Sequence, residues 1–286
     1  MVSRPLIVIV GPTAVGKTQL ALRLGEEFGG EVISADSRQI YKGMDIGTAK
    51  PTAEERRRVP HHLIDLIEPD EGFTLVQYQE MAYEAIDEVL SRGRLPFLVG
   101  GTGLYVKALV EGFSVPRVKP NMARRRALLK EARERGAEAL YARLKEVDPR
   151  AAARIDPQNV RRVVRALEVY EATGQPISRL QRKEPPPYRI LKIGLTMERK
   201  ALYRRIDERV DRMMEMGLLE EVKRLVEKGY RDLPAMSGLG YKQLGLYLRG
   251  EVDLAEAVRM IKSETRRFVR QQYKWFRLDD ETINWI

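Results

Sequence analysis

GPTAVGKT, residues 11–18, is the stretch from which the fold of this chain is read. It fits the spacing G-x-x-x-x-G-K-[ST], in which backbone N–H groups wrap a chain of phosphates, a lysine reaches the outer oxygens and a threonine hydroxyl meets Mg²⁺. The apolar run PLIVIV at 5–10 ends at this loop, and QLALRLGEEFG after it repeats its apolar residues at helical spacing. Strand, loop and helix are the context that the motif requires. Further along, EVISAD reads as a second strand, QYQEMAYEAIDEVLSRG as a helix ended by Gly93, and LPFLVGG as a buried strand before a helix opening near Gly103. This alternation predicts an α/β fold, a parallel sheet flanked by helices with its ligand at the carboxyl ends of the strands.

Composition narrows the function classes. The 286 residues, 43% of them apolar, suffice for one large domain or for a core with an appended module. No apolar run approaches the ~20 residues that span a bilayer, and MVSRP leads into the first strand without a cleavable signal pattern, so the expected compartment is the cytoplasm. Cysteine is absent, which excludes disulfides, thiol catalysis and the usual zinc ligands. His61 and His62 are adjacent with no spaced third ligand, and they read as structural or substrate-lining residues. Trp275, Trp285, Phe268 and Phe276 read as core anchors of a C-terminal helix.

The charge is concentrated. Residues 117–189 hold 19 of the 51 basic residues and 9 of the 41 acidic ones, so the net charge of +10 lies in this segment and the remainder is neutral. Within it NMARRRALLKEARERG, AEALYARLKEVDP and DPQNVRRVVRALEVYEATG are consecutive helical patterns with no strand between them. The last is expected to start with Asp156 as N-cap and Pro157 at the first position, and to stop at Gly174. Its stripe of Val160, Val163, Val164, Leu167 and Tyr170 is expected to pack inward, with Arg161, Arg162 and Arg165 on or near the opposite face. ILKIGLTM then returns as a last strand. The expected organisation is a P-loop NTPase-like core at 1–116 and 190–286, including C-terminal helices, with an all-helical basic insertion at 117–189. A neutral body carrying a basic module suits a polyanionic partner such as nucleic acid.

A nucleotide hydrolase or kinase would hold Mg²⁺ with a second acid at the end of an apolar strand. The strands here end in Asp36 and in Gly101, so only Asp36 is available. It reads either as a turn or cap residue, or as a general base beside the phosphates.

Several blocks closely resemble the tRNA dimethylallyltransferases, or tRNA isopentenyltransferases, of the bacterial type. They are ISADSRQIYKGMDIGTAKP (33–51), VPHHLIDLIEP (59–69), LVGGTGLYVKAL (98–109), QNVRR (158–162), LYRRIDERVDRMMEMGLLEEV (202–222), SGLGYKQ (237–243) and the late WFR. The resemblance covers nearly the full length, without the Cys/His zinc-finger extension of the eukaryotic relatives. It implies transfer of a prenyl group from dimethylallyl diphosphate to N6 of adenosine 37 in the anticodon loop. The loop of Gly11, Pro12, Thr13, Ala14, Val15, Gly16, Lys17 and Thr18 would then hold the donor's diphosphate through the amides of 13–18, with Lys17 and Arg205 assisting catalysis and Mg²⁺ at Thr18. Asp36 matches the residue that accepts a proton from N6. Ser37, Arg38, Gln39 and Thr102 match contacts to the extruded region. Gln158, Asn159, Val160, Arg161 and Arg162 match contacts of the insertion to the anticodon stem, with Arg124 a further candidate. A monomer is expected. Val15 stands where a small residue is usual, and RQQYKWFR (270–277) departs from KRQ-x-TWFR, which leaves donor discrimination and local packing open. The rival readings are a phosphate-loop kinase and a non-catalytic RNA-binding protein with a nucleotide switch.

Overall fold

The computed structural model describes residues 4–113 and 116–286. In chain order the elements are β1 (Pro5–Val10), α1 (Lys17–Phe28), β2 (Gly30–Ser34), α2 (Ala53–Arg58), β3 (His61–His62), α3 (Leu75–Ser91), β4 (Leu95–Val99) and α4 (Gly103–Val110). Five helices follow: α5 (Met122–Arg135), α6 (Ala137–Val147), α7 (Pro149–Ala152), α8 (Val160–Thr173) and α9 (Ile177–Leu180). The chain closes with β5 (Arg189–Gly194), α10 (Arg199–Glu215), α11 (Leu218–Glu227), α12 (Tyr241–Leu248), α13 (Leu254–Trp275) and β6 (Asn284–Trp285). It divides into two compact units, Met1–Val110 with Pro186–Ile286, and Glu111–Pro185.

In the larger unit six parallel strands lie in the order β3-β2-β4-β1-β5-β6. β1 is central, in register with β4 (Ile7 opposite Phe97) and with β5 (Pro5 opposite Arg189 through Val10 opposite Gly194). Its continuous apolar sequence follows from this position, because both faces of a central parallel strand are covered by helices. Leu6, Val8 and Val10 pack with Tyr78, Ile86 and Leu109 beneath α3 and α4, while Ile9 faces Ala21 and Leu22 of α1 on the other side. Two sheet edges escape the sequence reading. β3 is the His61–His62 pair, and β6 adds two residues beside β5 from the far end of the chain. α10 to α13 build a further helical layer around Val222, Leu225, Leu244 and Ile261. No helix among the described residues is long and apolar enough to cross a membrane.

The smaller unit contains α5–α9 around its own core of Leu128, Leu140, Leu144, Val163, Val164 and Leu167. Two expectations for α8 need correction. The helix starts at Val160, with Asn159 as N-cap accepting the Arg162 N–H (3.3 Å), while Asp156 closes the preceding turn by accepting the Gln158 N–H (2.8 Å). Arg165 does not join Arg161 and Arg162 on an open face: it donates to Glu168 (2.7 Å) and to the Pro116 and Val118 carbonyls. Glu168 lies buried in this core, where Arg125 grips it with two hydrogen bonds of 2.9 and 2.8 Å and the Asn121 N–H adds a third of 2.8 Å. Burial favours the neutral acid, but these donors outweigh it and hold the carboxyl below its ordinary range.

Candidate active site

The loops at the carboxyl ends of β1, β2 and β4 meet at two adjoining cavities, of about 730 and about 430 Å³, sizes that suit small organic ligands. Thr13, Lys17, Asp36, Thr48, Gly101, Arg209 and Met213 line both. The larger adds Ala14, Gly16, Thr18, Arg205, Arg212 and Met216; the smaller adds Ser37, Arg38, Thr102, Leu104, Phe268 and Trp275.

The phosphate loop is bent as its sequence requires. Gly16 stands at φ 113° as N-cap of α1, a left-handed geometry that glycine adopts without strain. Lys17 folds back over the loop, its amine donating to the carbonyls of Gly11 (3.0 Å) and Pro12 (2.7 Å). Burial, reinforced by the charge of Arg209 and partly opposed by Asp36, lowers its pKa to about 7. Burial and the neighbouring Arg209 both disfavour the ammonium form, and an anion placed beside the amine would favour it. The Thr18 side chain lines the cavity and its hydroxyl has no hydrogen-bond partner among the described residues. Val15 does not line either cavity: it is buried against Leu202, Ile206 and Val269, so its bulk serves packing between the loop, α10 and α13.

One expected contact is corrected. The Thr13 N–H is not free for a phosphate, because it donates to Oε1 of Gln272 (2.8 Å).

Asp36 follows β2. Its Oδ1 accepts the Arg38 N–H (2.8 Å), so the turn role is present, while its second oxygen takes no hydrogen bond among the described residues. Beneath it Tyr78, fully buried, donates to the Ser34 carbonyl (3.1 Å) and stacks on Tyr105 with centroids 3.7 Å apart. The neighbours of Asp36 are engaged within the protein. Thr102 Oγ1 accepts the Ser37 N–H (3.0 Å) and donates to Ser37 Oγ (3.3 Å). Arg38 donates to the carbonyls of Pro234 and Ala235 (each 3.2 Å) and to Ser237 Oγ (3.1 Å). Gln39 Oε1 accepts from Ser34 Oγ (3.0 Å).

The sequence reading singled out Arg205 and missed its partners. Arg205, Arg209 and Arg212 recur at helical spacing on α10, and all three face the larger cavity with Met213 and Met216. That spacing was the available signal. Burial lowers the pKa of Arg209, with Arg212 and Arg205 pushing the same way against Asp36. The DIGTAK loop was also unexplained by sequence. The buried Glu221 carboxylate accepts the N–H groups of Asp45 (3.0 Å), Ile46 (2.8 Å) and Gly47 (3.2 Å) and the Tyr241 hydroxyl (2.6 Å), and the Lys50 amine donates to Asp45 (2.5 Å) and Asp65 (2.6 Å). These contacts fix one wall of the larger cavity. His62 Nε2 lies 2.6 Å from buried Glu31, a structural contact at the sheet edge, and His61 lines the larger cavity. Phe268 and Trp275 correct the expectation of core anchors: they are 38% and 41% exposed at the smaller cavity, whereas Phe276 is buried.

In the other unit Arg161 and Arg162 are exposed and make no ion pair with another described residue, and Gln158 is exposed beside them. Arg124 differs, since Glu171 accepts two hydrogen bonds from it (2.7 and 2.5 Å).

Fold and site together define a phosphate-loop α/β protein whose anion cradle opens onto a carboxylate and an arginine-lined helix. The IPP transferase family model matches residues 39–279, and the chain belongs to that family. A tRNA dimethylallyltransferase of Roseiflexus sp. (strain RS-1) is 58% identical over 274 residues, 96% of this chain and 90% of the relative. The crystal structure of the tRNA isopentenylpyrophosphate transferase of Bacillus halodurans is 46% identical with a TM-score of 0.73, covering 99% of this chain and 90% of that one. A eukaryotic dimethylallyltransferase, crystallised acting on tRNA, is 30% identical with a TM-score of 0.79 over 96% of this chain and 70% of its own.

Proposed function

We propose that the chain acts, as a monomer, as a tRNA dimethylallyltransferase whose donor is dimethylallyl diphosphate and whose acceptor is N6 of adenosine 37. The observation that carries the reading is the junction of the two cavities, where Lys17 and Arg209 flank the carboxylate of Asp36. The diphosphate belongs among the loop amides of 14–18, Lys17, Arg205 and Arg209, because negative charge grows on it as the carbon–oxygen bond breaks. Met213, Met216 and Ile46 offer the five-carbon chain an apolar wall. The N6 amine attacks the allylic carbon, the C–O electron pair leaves with the diphosphate, and the N6 proton passes to the open oxygen of Asp36. An adenine stacked in a loop cannot reach that point, so it is extruded into the smaller cavity at a cost of a few kcal/mol. The free Arg161 and Arg162 suit phosphates of the anticodon stem, a role for which Arg124 is less available because Glu171 holds it.

The Thr18 hydroxyl fits Mg²⁺. Among the described residues no group of three or more acids or histidines is placed to hold a metal, so Thr18 is the residue that would hold the ion, with the substrate supplying further oxygens. At that position Mg²⁺ would supply neutralisation of the diphosphate charge.

The test is incubation with unmodified tRNA, Mg²⁺ and either dimethylallyl diphosphate or ATP, followed by nucleoside mass analysis. The expected result is a five-carbon mass gain on one adenosine with the prenyl donor alone. Phosphate release from ATP without that gain supports the kinase reading instead.

A further inference from the structure

Gln272 sits on α13, far in sequence from both substrate loops, and it is 3% exposed. Its two amide atoms point in different chemical directions. Oε1 accepts the N–H of Thr13 in the phosphate loop (2.8 Å), and Nε2 donates to the carbonyl of Gly101 in the loop after β4 (3.1 Å). Because one partner is an N–H and the other a carbonyl, only one orientation of the amide satisfies both.

Each partner leads to one half of the site. Thr13 lies three residues past the end of β1, beyond the sheet ladder whose last tie is the Leu195 N–H to the Val10 carbonyl (2.9 Å). The amide of Gln272 therefore anchors the tip of the diphosphate cradle. Gly101 precedes Thr102, whose N–H donates to the Ala35 carbonyl (3.1 Å) and whose hydroxyl holds Ser37, so this loop brackets Asp36 on both sides. α13 is itself fixed, through Val269 in the cluster with Val15 and Ile206 and through the Tyr273 hydroxyl, 3.0 Å from Thr196 Oγ1.

We propose that Gln272 is a positioning residue that sets the diphosphate cradle in register with the Asp36 carboxylate, so that leaving group and proton acceptor are aligned for one transfer step. The inference rests on the prenyl-transfer reading above. Displacing reacting groups by about 1 Å costs about a hundredfold in rate, and a bridge of this kind acts on alignment, leaving binding of either substrate largely to other groups.

Gly101 supplies an independent handle. A Cβ there would lie 2.3 Å from Gln272 Nε2 and no nearer than 3.6 Å to anything else, so Gly101→Ala pushes the amide away while leaving the rest of the loop room. The experiment measures single-turnover prenyl transfer to a tRNA transcript, with KM for donor and tRNA, in Gln272→Ala, Gly101→Ala and the double variant. Each single variant is expected to lose about tenfold to a hundredfold in rate with both KM values changed less than about threefold. The double variant is expected to be no slower than either single one, since both break the same bridge. Gln272→Met, which keeps length and volume without polar atoms, is expected to show the same loss and serves if the alanine variant does not fold. Multiplying losses, or a lowered melting temperature with an unchanged rate per folded molecule, would overturn the proposal. Failure of the prenyl-transfer reading is separate and visible first, as absence of product with the unaltered protein.

Discussion

Lys17 should take up a proton when the cradle fills. Its amine sits recessed beside Arg209 with a pKa near 7, between two backbone carbonyls that satisfy it in either charge state. At pH 8 about a tenth of a group with that pKa is charged, and at pH 6 about nine-tenths. A diphosphate on the loop favours the ammonium, so its pKa climbs toward the ordinary lysine value. Pyrophosphate binding at pH 8 should therefore draw about 0.9 proton onto Lys17, and at pH 6 about 0.1. Each unit that the pKa climbs means that the ammonium form binds the anion about 1.4 kcal/mol more tightly than the neutral amine does. The assay is titration calorimetry with Mg²⁺ and pyrophosphate in buffers of different ionisation enthalpy, with Lys17→Met as the subtraction for protons taken by pyrophosphate itself. The sign also appears in stability. A lysine whose pKa is lowered on folding holds fewer protons than the unfolded chain between about pH 7 and 10, so this group's contribution rises with pH across that window. If the unaltered protein and Lys17→Met take up equal numbers of protons at pH 8, the electrostatic account of the cradle is wrong.

Asp36→Ala should slow single-turnover transfer by about 10² or more while tRNA affinity stays near its original value, because general-base removal acts on the chemical step; a collapse of affinity instead would mark Asp36 as an RNA contact. Replacing Arg161 and Arg162 by Ala should lower the slope of log affinity against log salt by about two, one for each lost phosphate contact. An unchanged slope in filter binding places the stem elsewhere. Glu168→Ala should destabilise the chain by about 2 kcal/mol, since it removes the shared hydrogen-bond acceptor of the partly exposed Arg125 and Arg165 guanidiniums. The carboxyl's lowered pKa also means that this contribution is present above the unfolded value and lost as pH falls through the folded one, which urea melts at pH 7 and pH 4 will resolve.

The central strands and the phosphate loop were legible because a continuous apolar run ending in a glycine-rich turn has few other solutions. β3 and β6 were not, since two-residue strands carry no periodicity and their pairing is decided by the sheet. The start of α8 misled because Asp156 and Asn159 are both good caps, and Pro157 favoured the earlier one; the structure uses Asn159 for the helix and Asp156 for the turn. The wheel position of Arg165 points outward, yet Glu168 three residues on gives it an inward partner. At the cavities, the placement of Lys17 and Asp36 follows from the phosphate loop and the strand before it, Arg205 is marked by the family resemblance alone, and Arg209 and Arg212 are within reach of helical spacing from it. Gln272 was beyond reach, because its two partners lie 259 and 171 residues away and neither hydrogen bond leaves a pattern along the chain.

The most direct measurement is a crystal structure of the protein with an unreactive thio-linked analogue of dimethylallyl diphosphate and an anticodon stem-loop. The account predicts the analogue's diphosphate among residues 14–18 and an extruded adenine whose N6 lies within about 3 Å of the Asp36 carboxylate. A stacked adenine, or a diphosphate bound away from Lys17 and Arg209, contradicts it.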